Sequence, residues 1–482
     1  MNPVFQGVLQ IVFLIAVLVA LAIWEKRQSS LAKRGVGRRS KDGDCLQKRR
    51  QDQTGQLVTR AADGENRLDP GPKPQGLPAA AAGPSADLFS VPGQKPASAQ
   101  DQSADLARAQ ASQPTHQSGE RKRLRDLGLK LGIFNPGRHN AITDVAGVKV
   151  GQTTLKIGDG ALVPGKGPVR TGVTAIIPHS GDIWGERVSA SAFVLNGNGV
   201  VTGLDWVKES GLLEGPVLLT NTLSVGKVYD AAVSWMLAKY PEIGVDDDTY
   251  LPIVGECDDS ALNDIRGRHV QEEHVLAALN GASDGPVLEG AVGAGTGMIC
   301  YEFKGGIGTA SRVLPADAGG FTVGVLVNCN HGDRHQLRVD GVPVGQLIPE
   351  DLADEHREGS ICIVVATDAP LSSRQLERIA KRATMGLART GSSAQNESGD
   401  FVLAFSSGRK IPRNRETMVN NLPELDDQFI NPLLEATVES TEEAILNALF
   451  MAETTVGRDG DRAFALPIDR CLEILRQHGK KV

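Results

Sequence analysis

Five short, largely apolar runs set the limits on how this chain folds: Val173–Ile177, Val217–Leu219, Thr322–Val327, Ile361–Ala366 and Phe401–Phe405. They are too short for buried helices, and they lack the polar alternation of a strand with one wet face. Strands covered on both faces are the expectation. Helix-forming segments lie between them. "VYDAAVSWMLAKY" (228–240) consists of helix formers throughout. "SSRQLERIAKRATMGLARTG" puts Leu376, Ile379, Ala380, Ala383 and Leu387 on one face. Ser372 and Gln375 are spaced as a capping box at its start, and Gly391 supplies the stop. The predicted class is layered α/β, with sheets covered by helices. A content of 40% hydrophobic and 23% charged residues is enough to build such a core.

That core does not begin at the N-terminus. Val4–Trp24 is a 21-residue stretch without a charge, long enough to span a bilayer as a helix. Ten Lys/Arg fall between Lys26 and Arg50 and none before the run, so the positive flank, and with it the rest of the chain, is expected on the cytoplasmic side. This reading gives a single-pass membrane protein with a transmembrane anchor over 1–25 and a cytoplasmic catalytic domain. Without the N-terminal segment the protein would simply be cytoplasmic. Residues 26–120 form a basic flank followed by a Pro/Ala/Gln-rich linker. "GPKPQGLPAAAAGPSAD" has too little apolar surface to offset chain entropy, so the linker is expected to be disordered. The globular domain occupies 121–482.

Charge narrows the partners. Residues 1–120 carry 15 Lys/Arg against 11 Asp/Glu, and the remainder carries 36 against 47. An acidic body with only 4% aromatic residues does not suit a nucleic-acid partner. It favours cationic ligands such as free amines. The six cysteines are scattered without a CxxC pair, which points to buried free thiols.

Several motifs promise more than they hold. "GAGTG" (293–297) is followed by residues that read as a strand, Met298 to Phe303, where a nucleotide fold needs a helix, so tight turns account for it better. "GECDDSALNDIRGRHVQEEH" (255–274) and "NCNHGDRH" (328–335) contain acids and histidines, but their spacing matches no known metal motif. Exposed polar loops are expected there, with no metal and no organic cofactor. No GxSxG elbow is present.

The junction Gly359-Ser360, in "REGSICIVVATDAP", is different. One reading is an ordinary loop that leads into a core strand. The other is self-cleavage before Ser360. A serine at a chain end carries its own base, an α-amine of pKa about 7.7–8.0, and needs no imidazole. On these residues alone both readings stand.

Over residues 123–482, "NAITDVAGVKVGQTTL" (140–155), "GPVLLTNTLSVGKV" (215–228), "GECDDSALNDIRG" (255–267), "TVGVLVNCNHG" (322–332), "GSICIVVATDAPL" (359–371) and "SGDFVLAFSSG" (398–408) occur in order. Together they resemble the L-aminopeptidase/D-Ala-esterase/amidase family, which includes the β-peptidyl aminopeptidases. The resemblance implies an α-β-β-α layered sandwich like that of N-terminal-nucleophile hydrolases. It also implies autocleavage into an α chain (121–359) and a β chain (360–482), and assembly as a homotetramer. The implied activity is release of N-terminal amino acids (L-, D-Ala or β-amino acids) from small peptides, amides or esters.

By the same resemblance Ser360 is the nucleophile, Ser398 and Asp400 contact its hydroxyl and amine, and Asn330 holds the oxyanion. Asn221 belongs to a segment near the site. Many relatives carry Glu where Asp400 stands. Asp258 stands where relatives with D-Ala activity have Tyr. An ionised carboxylate repels an oxyanion, so Asp258 or Glu256 is expected to meet the substrate's ammonium instead. Two rival readings are a non-catalytic, membrane-tethered binding relative of the same fold and a metal-dependent peptidase.

Overall fold

The computed structural model describes residues 121–348, 359–414 and 417–482. Two sheets lie face to face. The first contains β1 (Lys149–Ile157), β2 (Val169–Ile177), β5 (Val217–Asn221) and β6 (Ile253–Cys257), in the order β1-β2-β5-β6. The second adds β3 (Glu186–Gly197), β4 (Leu212–Leu213), β7 (Gly306–Val313), β8 (Thr322–Asn330), β9 (Ser360–Thr367) and β10 (Gly399–Pro412), in the order β4-β3-β10-β9-β8-β7. Pairing in the larger sheet is antiparallel except between β9 and β10. In the smaller sheet only β5 and β6 run parallel.

Helices close both outer faces. α1 (Val225–Lys239) and α2 (Glu272–Asn280) pack on the smaller sheet, and α3 (Ser373–Arg389) and α4 (Asn431–Met451) on the larger. The α-β-β-α order expected from the sequence is therefore present. All five apolar runs fall inside β2, β5, β8, β9 and β10. Alternate residues of one strand feed different cores. Ile361, Ile363 and Val365 of β9 join the core under α3 and α4. Cys362, Val364 and Ala366 join the core between the sheets. α3 begins at the expected box, where the Gln375 side chain accepts from the Ser372 backbone N–H at 3.0 Å. The five apolar residues named for its inner face are all buried.

α4 is buried along nearly its whole length, including Glu439, Glu442 and Glu443. Arg312 explains how two of these carboxylates are tolerated. Fully buried itself, it reaches Glu439 at 2.8 Å and Glu443 at 2.7 Å, and Arg125 closes on Glu443 from the other side at 2.8 Å. These partners hold the Glu443 carboxyl below its ordinary pKa against the opposing effect of burial.

Two expectations need correction. Among the described residues no helix is long and apolar enough to cross a membrane. α4 has the length, 21 residues, but carries four glutamates, and α3 has charges along one side. The placement as a single-pass membrane protein is therefore withdrawn. The Val4–Trp24 run and the linker on which it rested lie outside the described residues. Second, Met298–Phe303 is not one strand. Ile299–Cys300 and Phe303–Lys304 pair as a small hairpin, with Tyr301 and Glu302 at φ 52° and 60° in its turn. Two successive left-handed residues are what a tight two-residue hairpin turn requires. Gly293–Gly295 forms a single 3₁₀ turn.

Candidate active site

Ser360 is the first residue of β9, in the middle of the larger sheet. Its antiparallel partner on β8 is Asn330, and its parallel partner on β10 is Gly399. Strand alternation puts Ser360 on the face of Cys362, towards the smaller sheet. It is buried, and its Oγ has no hydrogen-bond partner. A buried hydroxyl without a partner costs free energy and asks for an explanation.

Asn330 is fixed at both ends of its amide. Oδ1 accepts from the Ile299 N–H at 2.8 Å, and Nδ2 donates to the Asp258 carbonyl oxygen at 2.9 Å. An amide nitrogen has two hydrogens, so one remains for a further acceptor. On the other side of Ser360, Ser398 Oγ donates to Asp400 Oδ1 at 2.8 Å, and Asp400 Oδ2 is unpartnered. Burial raises the Asp400 carboxyl, with the Ser398 hydrogen bond and the charge on His331 holding it back. The carbonyl of Gly359 accepts from the Gly399 N–H at 3.1 Å.

Close approach demands glycine at Gly399 and favours it at Gly359. A Cβ at Gly359 would lie 3.2 Å from His331 Cα, and one at Gly399 would lie 2.1 Å from the Asn198 carbonyl oxygen. A cavity of about 180 Å³ opens beside this region, lined in part by Gly332, Gly359, Gln395, Glu397 and Ser398.

The remaining sequence candidates come from the smaller sheet. Asn221 ends β5, accepts from the Ser224 N–H at 3.0 Å and donates to Thr171 Oγ1 at 2.7 Å. Glu256 is buried. Its Oε1 accepts from the Val200 N–H at 2.9 Å and its Oε2 accepts from Thr222 Oγ1. Burial raises its carboxyl pKa. Asp258 is half-buried, accepts from the Ser260 N–H at 2.6 Å and touches Asn330 through its backbone carbonyl. The structure thus brings Ser360, Asn330 and Asp258 to one end of the space between the sheets, with Gly359 preceding Ser360 and with Ser398 and Asp400 at the same end of the adjacent strand. Glu256 and Asn221 already have structural partners.

Sequence reasoning missed His331 and Asp259. "NCNHGDRH" was expected to be an exposed polar loop, which fails at its first histidine. His331 is 2% exposed, and its Nε2 is unpartnered. Its position directly after a strand that is buried on both faces was the available signal. Cys300 and Cys329 lie beside it, and the three side chains offer ligand atoms within 4.8 Å of one another. In the acidic stretch, Asp259 is fully buried and accepts from Asn263 Nδ2 at 2.8 Å, while Asp264 is buried with its Oδ2 2.9 Å from His269 Nε2. These are framework groups, not loop acids. All five cysteines of the described region are free and buried, as expected.

Two facing sheets between helix layers, with a serine opening a central strand, define the N-terminal-nucleophile hydrolase class of α/β fold. The chain belongs to peptidase family S58, whose model matches residues 140–463. A β-peptidyl aminopeptidase from Sphingosinicella xenopeptidilytica is 45% identical over 368 residues, covering 73% of this chain and 91% of that protein. The crystal structure of a protein from Pyrococcus horikoshii OT3 shares 49% identity at TM-score 0.72, over 74% of this chain and all of the other. The L-aminopeptidase D-Ala-esterase/amidase of Ochrobactrum anthropi, described as a prototype for the serine aminopeptidases and a variant of the N-terminal-nucleophile fold, shares 42% identity at TM-score 0.70. It covers 75% of this chain and 99% of its own. This chain is accordingly a hydrolase of the aminopeptidase/amidase type with a serine mechanism, and neither the binding-only relative nor the metal-dependent peptidase is favoured.

Proposed function

We propose that the protein cleaves its own backbone between Gly359 and Ser360, and that Ser360 then releases N-terminal residues from small peptides, amides or esters. The observation that carries this is the buried, unpartnered Ser360 Oγ at the head of a central strand, opposite an amide with a hydrogen to spare. In the first step Oγ attacks the Gly359 carbonyl, whose oxygen already accepts from the Gly399 N–H. The acyl group moves from nitrogen to oxygen, and water hydrolyses the ester. This leaves a carboxylate at Gly359 and a free amine at Ser360. The products are a chain ending at Gly359, which contributes residues 121–359 of the catalytic domain as the α chain, and a β chain (360–482), held in one folded unit by the β8–β9–β10 ladder.

In turnover Ser360 Oγ attacks the substrate carbonyl and gives its proton to its own α-amine. Asn330 Nδ2 donates to the developing oxyanion. The amine returns the proton to the leaving nitrogen, and water releases the acyl-enzyme. The Ser398–Asp400 pair orients the new amine. Asp258, half-buried and acidic, pairs with the substrate's ammonium. The substrates are N-terminal L-residues, D-Ala derivatives or β-amino acids, following the named relatives, and the assembly is a homotetramer. Activity assays with aminoacyl p-nitroanilides on wild type and Ser360→Ala test the reading. A Ser360→Ala protein that stays in one piece and is inactive supports it. One that hydrolyses these substrates at the wild-type rate overturns it.

A further inference from the structure

We propose that Cys300, Cys329 and His331 form a site for a soft d¹⁰ cation such as Zn²⁺, Cd²⁺ or Cu⁺, and that its occupation switches the enzyme off by displacing Asn330. Two thiols and an imidazole are the donor set that such ions prefer. The three donor atoms already lie within 4.8 Å of one another, and Cys300 Sγ is 3.9 Å from His331 Nδ1. Tetrahedral bonds of about 2.3 Å to sulfur and 2.0 Å to nitrogen require donor separations of roughly 3.5–3.8 Å. The site therefore closes with shifts of about 1 Å and no refolding.

The surroundings fit a ligating histidine. Its other nitrogen, Nε2, is buried without a partner. Asp400, whose Oδ2 is also unpartnered, lies close enough for its charge to reach His331. Metal-bound histidines commonly give their second N–H to a carboxylate. Tyr301 packs its ring edge-on against the imidazole at 5.0 Å and backs the site. The cavity beside Gly332 and Gly359 is lined by the residue that directly follows His331.

The link to activity is covalent and short. Cys329 and His331 are the residues on either side of Asn330. Cys300 follows Ile299, whose N–H holds the Asn330 Oδ1. Drawing the three ligands together pulls on the backbone of Asn330 and on the Ile299 N–H that holds its amide, and a misplacement of about 1 Å at a catalytic group is worth on the order of 10² in rate. This metal would inhibit, because the three ligands are buried and lie behind the catalytic residues. Binding replaces the thiol protons, which go to solvent.

Reduced, chelator-stripped protein titrated with Cd²⁺ alone tests the site. The expected result is a sulfur-to-cadmium charge-transfer band that saturates at one ion per chain, with kcat falling at least about tenfold in parallel and returning on addition of chelator. Cys300→Ser and Cys329→Ser should lose the band, whereas Cys362→Ala, at a buried thiol in the core between the sheets that is hydrogen-bonded to Cys257 and not to the three ligands, should keep it. A band that survives both serine variants, or no band at one equivalent, overturns the site. A band without loss of activity overturns the switch. Should the serine variants fail to fold, the Co²⁺ spectrum of wild type decides: intense tetrahedral bands with thiolate charge transfer support the site, and a weak octahedral spectrum overturns it. The absorption readout does not depend on turnover, so failure of the proposed peptidase activity and failure of this site are separately visible.

Discussion

Asn330 and Ser360 are directly opposed residues on adjacent antiparallel strands, and both point into the space between the two sheets. The proposed oxyanion donor and nucleophile thus share one ladder, so their separation is set by strand geometry and not by a loop. The amide is further pinned by the Ile299 N–H and the Asp258 carbonyl. Replacing Asn330 with Ala should lower kcat by about 10²–10³, the usual cost of one oxyanion donor, with a much smaller change in KM. Steady-state kinetics on an aminoacyl p-nitroanilide check this. An unchanged kcat would remove Asn330 from the mechanism.

Asp258 and Glu256 should separate cleanly. Glu256 has both oxygens engaged, with Val200 and Thr222, so Glu256→Gln should act mainly on stability. Asp258→Asn should raise KM about tenfold or more for substrates with a free amine, the range for losing a charged hydrogen-bond partner, with little effect on melting. An unchanged KM would dismiss the ammonium role.

Asp259 gives a pH test of the framework. Burial pushes its carboxyl up to about 7, with the Asn263 amide holding it back. A raised folded-state pKa means that the folded state holds the proton more tightly. Its stabilising contribution is complete below the unfolded pKa near 3.8 and is lost as pH rises towards about 7. Asp259→Asn removes that dependence. Its melting temperature relative to wild type should therefore rise between pH 5 and pH 8, the change in stability over that window having a ceiling of roughly 3 kcal/mol, about two pKa units at about 1.4 kcal/mol each. A constant difference across that range would contradict the shift.

Arg312 is the counter-charge on which the buried glutamates of α4 depend. Arg312→Met should destabilise the fold by about 3–5 kcal/mol, since it leaves Glu439 and Glu443 without a partner they share. Denaturant unfolding measures this, and a loss below about 1 kcal/mol would show that Arg125 alone suffices.

That helices cover the sheets was readable because β9 and its neighbours are apolar on both faces, a pattern that demands cover on both sides, whereas the α-β-β-α order came from the family resemblance. α3 was readable because its cap, apolar stripe and terminal glycine agree. The hairpin at Ile299–Lys304 was not, since Tyr301 and Glu302 are unusual residues for left-handed positions. Its turn is favoured by tertiary contacts, such as the hydrogen bond between the Tyr301 hydroxyl and Thr390 Oγ1. His331 was misread for a related reason: its polarity suggests solvent, and only the surrounding fold shows that it is enclosed. For Ser360 the residues alone left two readings open, and the resemblance along the whole domain chose between them.

The central claim is that Ser360 becomes a chain terminus. Intact-mass analysis of a preparation that is hydrolysing substrate tests it most directly. The account predicts a 123-residue fragment that begins at Ser360 with a free amine. An active preparation in which the 359–360 peptide bond is uncut would contradict it.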